Sequence, residues 1–142
     1  MDVLADTGLV FALVNARHAL HPRVCNWLNA RPAGFRLLVC RQVQMALLRL
    51  LCDTAAMDGD PLTLPEAWKV YADLVRDPGM GFFAEPDGFQ ALWVRLCAPH
   101  GASPKVLSDA YLAALALTAG IPLATFDRDF GKFHGLPVMA VD

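Results

Sequence analysis

Short apolar runs alternate with stretches of helical periodicity along the whole chain. "DVLA" (2–5) stops abruptly at Asp6-Thr7-Gly8, the pattern of a buried parallel strand that ends in a turn. "LVFALVNA" then reads as a helix. His21-Pro22 opens a second helix through about Ala30, with Val24, Cys25 and Leu28 facing inward. "FRLLVC" (35–40) is a second strand, and it leads directly into "RQVQMALLRLL" (41–51). There Gln44, Leu47, Leu48 and Leu51 recur at i, i+3, i+4 and i+7, so an uncharged amide heads the buried face of a helix.

"DTAAMDGDPLTLPEA" (53–67) reads as loop, with Pro65 suited to the first turn of the next helix. Trp68, Tyr71, Ala72 and Val75 give that helix its expected inward stripe. "GFFAE" (81–85) is a short strand, and "PDGFQALWVRLCA" starts a helix that "PHGASP" ends. "VLSDAYLAALALTAG" (106–120) is the clearest helix, rich in alanine and leucine, with Gly120 placed to cap it. "LAT" is a strand, "FDRDFGKF" a loop or short turn, and "LPVMAV" the last strand. This alternation predicts an α/β fold, a three-layer α/β/α sandwich around a mostly parallel central sheet. With no internal repeat or linker, residues 1–142 are expected to form a single domain. Ligands of such sheets sit outside the carboxyl ends of the strands. That rule singles out Asp6, the start of the helix after the second strand, and Asp127.

Composition narrows the class. A chain of 142 residues can bury one sizeable core. It is 56% hydrophobic and 18% charged, yet it has no run of about 18 apolar residues, which argues against a membrane span. The acidic N-terminus lacks the basic segment of a signal peptide and reads as mature fold. Cys25, Cys40, Cys52 and Cys97 form no C-x-x-C pair, and the four histidines form no H-x-x-x-H pair. The thiols are expected as small buried hydrophobes, which suits the cytoplasm. The apolar excess, with Phe11, Leu13, Val14, Trp27 and Leu28 on two early helices, predicts an uncovered face and a homodimer.

A net charge of −2 carries no overall nucleic-acid signature. Its distribution is uneven, because residues 1–52 hold six arginines against two acids and the remainder holds six bases against twelve acids. Those arginines either line a phosphate-facing edge or lie scattered over solvated helices.

Three acids occupy positions that ask for an explanation. Asp6 and Asp127 each end an apolar strand, where an unpaired charge is costly. Asp109 lies on the stripe of Leu112, Ala113 and Ala116, early in the long helix. Converging carboxylates repel one another, and an oxygen-ligated divalent cation relieves that repulsion. Structural roles stand beside this reading: Asp6 as a helix cap, Asp109 as a partner of the helix dipole, and Asp127 as a turn residue beside a solvated Asp129.

"LADTGLVFAL" and "LSDAYLAALALTAGIPLATFDRDFGKF" resemble the PIN-domain family, specifically toxins of the VapC type. The match is strongest over 106–134, supportive at the N-terminus, and limited to element order over 53–100. The resemblance implies a metal-dependent endoribonuclease of structured RNA that uses Mg2+ (or Mn2+) and is silenced by a VapB-like antitoxin. Asp6, Asp109 and Asp127 would hold the metal, with Thr7, Thr125 and Asp129 as auxiliary residues. The family usually places a second acid five residues before an arginine, and counting back from Arg49 lands on Gln44. Gln44 can still orient water or phosphate, but it adds no negative charge. Arg41 and Arg49 are candidate contacts for RNA phosphates. The departure at Gln44 motivates a second reading, a PIN-fold module that binds RNA or an antitoxin without cutting. A phosphoryl-accepting receiver domain is disfavoured, because no acidic pair precedes Asp6 and Lys105 and Lys132 are misplaced for that role.

Overall fold

The computed structural model describes all of residues 1–142. Five strands, β1 (Asp2–Ala5), β2 (Arg36–Cys40), β3 (Met80–Phe83), β4 (Leu123–Thr125) and β5 (Val138–Ala140), form one sheet of order β3-β2-β1-β4-β5. Every pairing is parallel. The central strands are buried on both faces, as "VLA", "LLVC" and "LAT" require. The expected α/β/α sandwich is therefore the observed architecture, with a sheet that is wholly parallel.

Six helices connect and cover the sheet: α1 (Thr7–Val14), α2 (His21–Asn29), α3 (Arg41–Leu51), α4 (Leu64–Arg76), α5 (Phe89–Cys97) and α6 (Pro104–Ala119). Their ends follow local chemistry. Asp6 caps α1, and Thr63 with Glu66 forms a reciprocal capping box on α4 ahead of Pro65. Gly120 takes φ 69° to terminate α6, a conformation open to glycine at little cost. α6 buries Ala110 through Ala116 on consecutive positions, so it is a central helix without a polar face over that stretch.

Two expected faces turn out differently. On α2 the buried pair is Val24 and Trp27, while Cys25 and Leu28 are only half-buried. On α4 the buried residues are Ala67 and Tyr71, whereas Trp68 is 50% exposed and Ala72 is exposed. Small Ala67 lets α4 approach the core, and this rotates the stripe by one position so that Trp68 points outward. The apolar face expected at Phe11, Leu13, Val14, Trp27 and Leu28 is covered within the chain itself. Phe11 and Trp27 are buried, and the other three pack against the core. Exposed apolar side chains lie elsewhere, at Met45, Leu64 and Trp68 on α3 and α4 and at Val94 and Leu107 on α5 and α6. All four cysteines are free, and only Cys40 is fully buried. No helix is long and apolar enough to cross a membrane.

Candidate metal centre

β1 and β4 are neighbours, and both deliver a carboxylate at their carboxyl ends. Asp6 follows β1 and caps α1: its Oδ1 accepts the Thr7 backbone N–H at 2.7 Å. Its Oδ2 accepts the Thr125 hydroxyl, also at 2.7 Å. The same hydroxyl oxygen accepts the backbone N–H of Asp127 at 2.9 Å. Thr125 thus spends its one hydroxyl proton on Asp6 while anchoring the turn that carries Asp127. Burial raises the Asp6 carboxyl above its usual range; the Thr125 and Thr7 donors oppose this, and the negative charges of Asp109 and Asp127 add to it.

Asp127 caps a short 3-10 turn (Arg128–Lys132), and its Oδ1 accepts the Asp129 backbone N–H at 2.9 Å. That bond and the Lys105 ammonium hold its carboxyl below the usual range against modest burial. The structural roles considered for Asp6 and Asp127 are therefore real, and they coexist with placement of both carboxylates on one edge. Asp109 sits in the second turn of α6 with its side chain only 14% exposed.

Lys105, one turn before Asp109, closes the cluster. Its Nζ stands 2.8 Å from Asp109 Oδ2, 3.1 Å from Asp127 Oδ2 and 3.4 Å from Asp129 Oδ2. Lys132 adds a longer contact of 3.9 Å to Asp109. The Asp109 and Asp127 carboxylates raise the Lys105 ammonium above the ordinary lysine range. No sequence motif pointed to Lys105 as part of this cluster. The available signal was its i,i+4 spacing to Asp109, which puts both on one helix face.

No three acidic, histidine or cysteine side chains close into a ready-made metal cage. The acids instead gather round an ammonium, a cation doing the neutralising that a divalent ion would do. An oxygen-only set of carboxylates fits a hard cation such as Mg2+ or Mn2+, and Lys105 must withdraw for one to bind.

Gln44 is buried at the head of the α3 face with Leu47, Leu48 and Leu51, as its spacing predicts. Its amide oxygen accepts Arg41 Nη1. Arg41 in turn lies over Phe82, with its guanidinium carbon 4.7 Å from the ring centroid. Arg49 is not brought to the cluster. It is exposed and borders a separate cleft of about 330 Å³ with Ala46, Leu50 and Asp53. The six early arginines do not share an edge either. Arg36 begins β2, at the opposite end of the sheet, and pairs with Asp2. Arg31 lies over Trp27, and Arg17 binds the Met57 carbonyl and pairs with Asp60. Arg41, at the start of α3, stands at the carboxyl edge.

The fold that carries these acids is matched in known proteins. Residues 3–136 match the PIN domain, and the chain belongs to the PIN-domain family. It is 38% identical over 138 residues to Ribonuclease VapC41 of Mycobacterium tuberculosis, a match that covers 94% of each chain. Among solved structures it superposes on VapBC2 from Rickettsia felis, bound to a promoter DNA fragment, with a TM-score of 0.74 at 12% identity over both complete chains. It also superposes on Mycobacterium tuberculosis VapC20, a sarcin–ricin loop cleaving toxin, with a TM-score of 0.65 at 17% identity, covering 91% of this chain and 92% of the other. At such identities these two structures speak for the fold.

Proposed function

We propose that this chain is a divalent-metal-dependent endoribonuclease of structured RNA, the toxin of a toxin–antitoxin pair, acting in the cytoplasm as a single PIN-like domain over 1–142. The observation that carries the reading is the wiring of Asp6 through Thr125 to Asp127, with Asp109 and Asp127 both facing the Lys105 ammonium. Asp6, Asp109 and Asp127 would hold Mg2+ or Mn2+. Such a cation, when bound, activates water and offsets charge at a phosphodiester. The chain's own residues do the rest. Thr125 and Thr7 keep the Asp6 carboxylate aimed, Asp127 stays ionised, and Asp129 holds the exposed lip of the cluster. Arg41 offers a cation to the RNA. The VapC names of the relatives support the toxin role, and complexes among the structural neighbours support a VapB-like antitoxin as partner. The exposed Val94 and Leu107, beside an apolar cleft of about 550 Å³, favour a homodimer or a bound antitoxin segment.

Asp6→Asn tests the reading. The variant should keep its circular dichroism spectrum and lose cleavage of structured RNA by at least about a thousandfold, a barrier increase of roughly 4 kcal/mol. Full activity in that variant would refute the metal role of the cluster.

A second reading, a PIN-fold module that binds RNA or antitoxin without cutting, draws on the Gln44–Arg41 bond, which puts a neutral amide and a cation where the family commonly places an acid. Calorimetric titration with Mn2+ separates the two readings, since only a competent site binds at micromolar-to-millimolar concentrations.

A further inference from the structure

Next to the acid cluster, the carboxyl edge carries a second group of side chains with no part in holding a cation. Phe82 is 42% exposed on β3, an unusual place for a phenyl ring in a chain that buries most of its aromatic residues. The Arg41 guanidinium lies on that ring, kept in place by the Gln44 amide oxygen. Arg41, Phe82, Phe83, Ala84 and Glu85 line an open cleft of about 330 Å³.

Glu85 on its rim is not a free surface carboxylate. Its Oε1 accepts the Tyr111 hydroxyl at 2.8 Å. The Tyr111 ring is held edge-on by Phe89 and Trp93, at centroid distances of 5.6 and 5.1 Å. One carboxylate oxygen is therefore anchored, and the other keeps its full accepting capacity.

Position ties this cleft to the acids. β3 ends beside β2, with Phe83 in register with Cys40, and β2 lies beside β1, which carries Asp6. Two strand spacings put the cleft about 10 Å from the acid edge, within reach of a nucleotide neighbouring the phosphate held there.

We infer that the Arg41–Phe82 stack and Glu85 form a nucleobase subsite, in which an unpaired base of the RNA lies on the stack and turns its N–H edge to Glu85. This rests on the ribonuclease reading above and adds to it a base-recognition element. A flat π surface topped by a guanidinium accepts any base by stacking, the usual way proteins hold single-stranded RNA. A carboxylate accepts hydrogen bonds but donates none, so it favours a base edge that presents donors. Guanine, with N1–H and N2–H side by side, fits best, and uracil, with one N–H between two carbonyls, fits worst. A phosphate is repelled by Glu85, which separates this subsite from the backbone contacts.

The test uses the full chain carrying Asp6→Asn to prevent cleavage. Binding is measured by fluorescence anisotropy with a labelled octauridylate and with the same oligomer carrying one central guanosine. We expect the guanosine oligomer to bind more tightly. Adding Phe82→Ala should weaken both oligomers by about tenfold, consistent with loss of one stacked base, while Phe82→Trp keeps the affinity. Glu85→Gln should leave the octauridylate unchanged and abolish the guanosine advantage. Binding by Phe82→Ala within twofold of its parent overturns the subsite, as does a guanosine advantage that survives Glu85→Gln. Failure of the parent to bind either oligomer overturns the subsite, and the ribonuclease reading falls with it only if the unsubstituted chain also leaves structured RNA uncut. Circular dichroism of each variant confirms that the compared chains are folded.

Discussion

The Thr125 hydroxyl donates to Asp6 at 2.7 Å and holds together the carboxyl ends of two neighbouring strands. Because the same oxygen accepts the Asp127 backbone N–H, the geometry of two acids depends on one side chain.

Thr125→Val keeps the shape and removes the donor. The half-buried Asp6 carboxylate then loses one of its two hydrogen bonds, at a cost of about 1–3 kcal/mol. The expected result is a lower urea midpoint with an unchanged slope. The acid limb of the pH–rate profile should also move to higher pH, since the lost donor had been holding Asp6 down.

Asp6 also makes stability depend on pH. Burial raises its folded-state pKa above the unfolded value, so the folded chain keeps the proton to higher pH. Its contribution is complete below the ordinary carboxylate range and is lost as pH rises through the elevated folded value. Asp127 runs the other way: its lowered value gives stability that is present above the ordinary range and lost only on further acidification. In EDTA, thermal melts of Asp6→Asn should lack the decline of the parent just above pH about 4.

Lys105 shields the acids and competes with any divalent ion for them. Lys105→Met should tighten Mn2+ binding, measured calorimetrically, on the order of tenfold. The same variant should melt earlier than the parent in EDTA, because the acids then repel one another unopposed. Weaker Mn2+ binding would show that the ammonium supports the site instead of shielding it.

Gln44→Glu supplies the acid that the family resemblance implies at this position. The Arg41 guanidinium already engages that oxygen, so the new carboxylate should pair with Arg41 and change Mn2+ affinity less than about threefold. Combined with Arg41→Met, the same substitution should raise the affinity about tenfold or more. A large gain from Gln44→Glu alone would mean that Arg41 gives way.

What could be read from the sequence follows from what local chemistry dictates. Strand "DVLA" ends where an apolar run meets Asp6, and Gln44 is buried because its spacing puts it in line with three leucines. Asp6, Asp109 and Asp127 could be picked out because charges at the ends of buried elements are costly wherever the elements finally pack. On α2 and α4 the buried face lies about one position from the one periodicity favours, since two adjacent faces of a short helix carry similar hydrophobicity and the choice is made by the partner's shape. Trp27 therefore went in, and Trp68 went out.

Contacts between residues far apart in the chain were decided by the tertiary structure alone. Thr125 and Asp6 are 119 residues apart, and only the parallel pairing of β1 with β4 brings the hydroxyl to the carboxylate. The three contacts of Lys105, the separation of Arg49 from the cluster and the Arg41–Phe82 stack likewise depend on which strands are neighbours. Periodicity specifies which side of an element faces the core, whereas strand order specifies which elements meet. The sequence by itself therefore determined the acids and the alternation of strands and helices, while the sheet order decided that Asp6 and Asp127 share one hydroxyl.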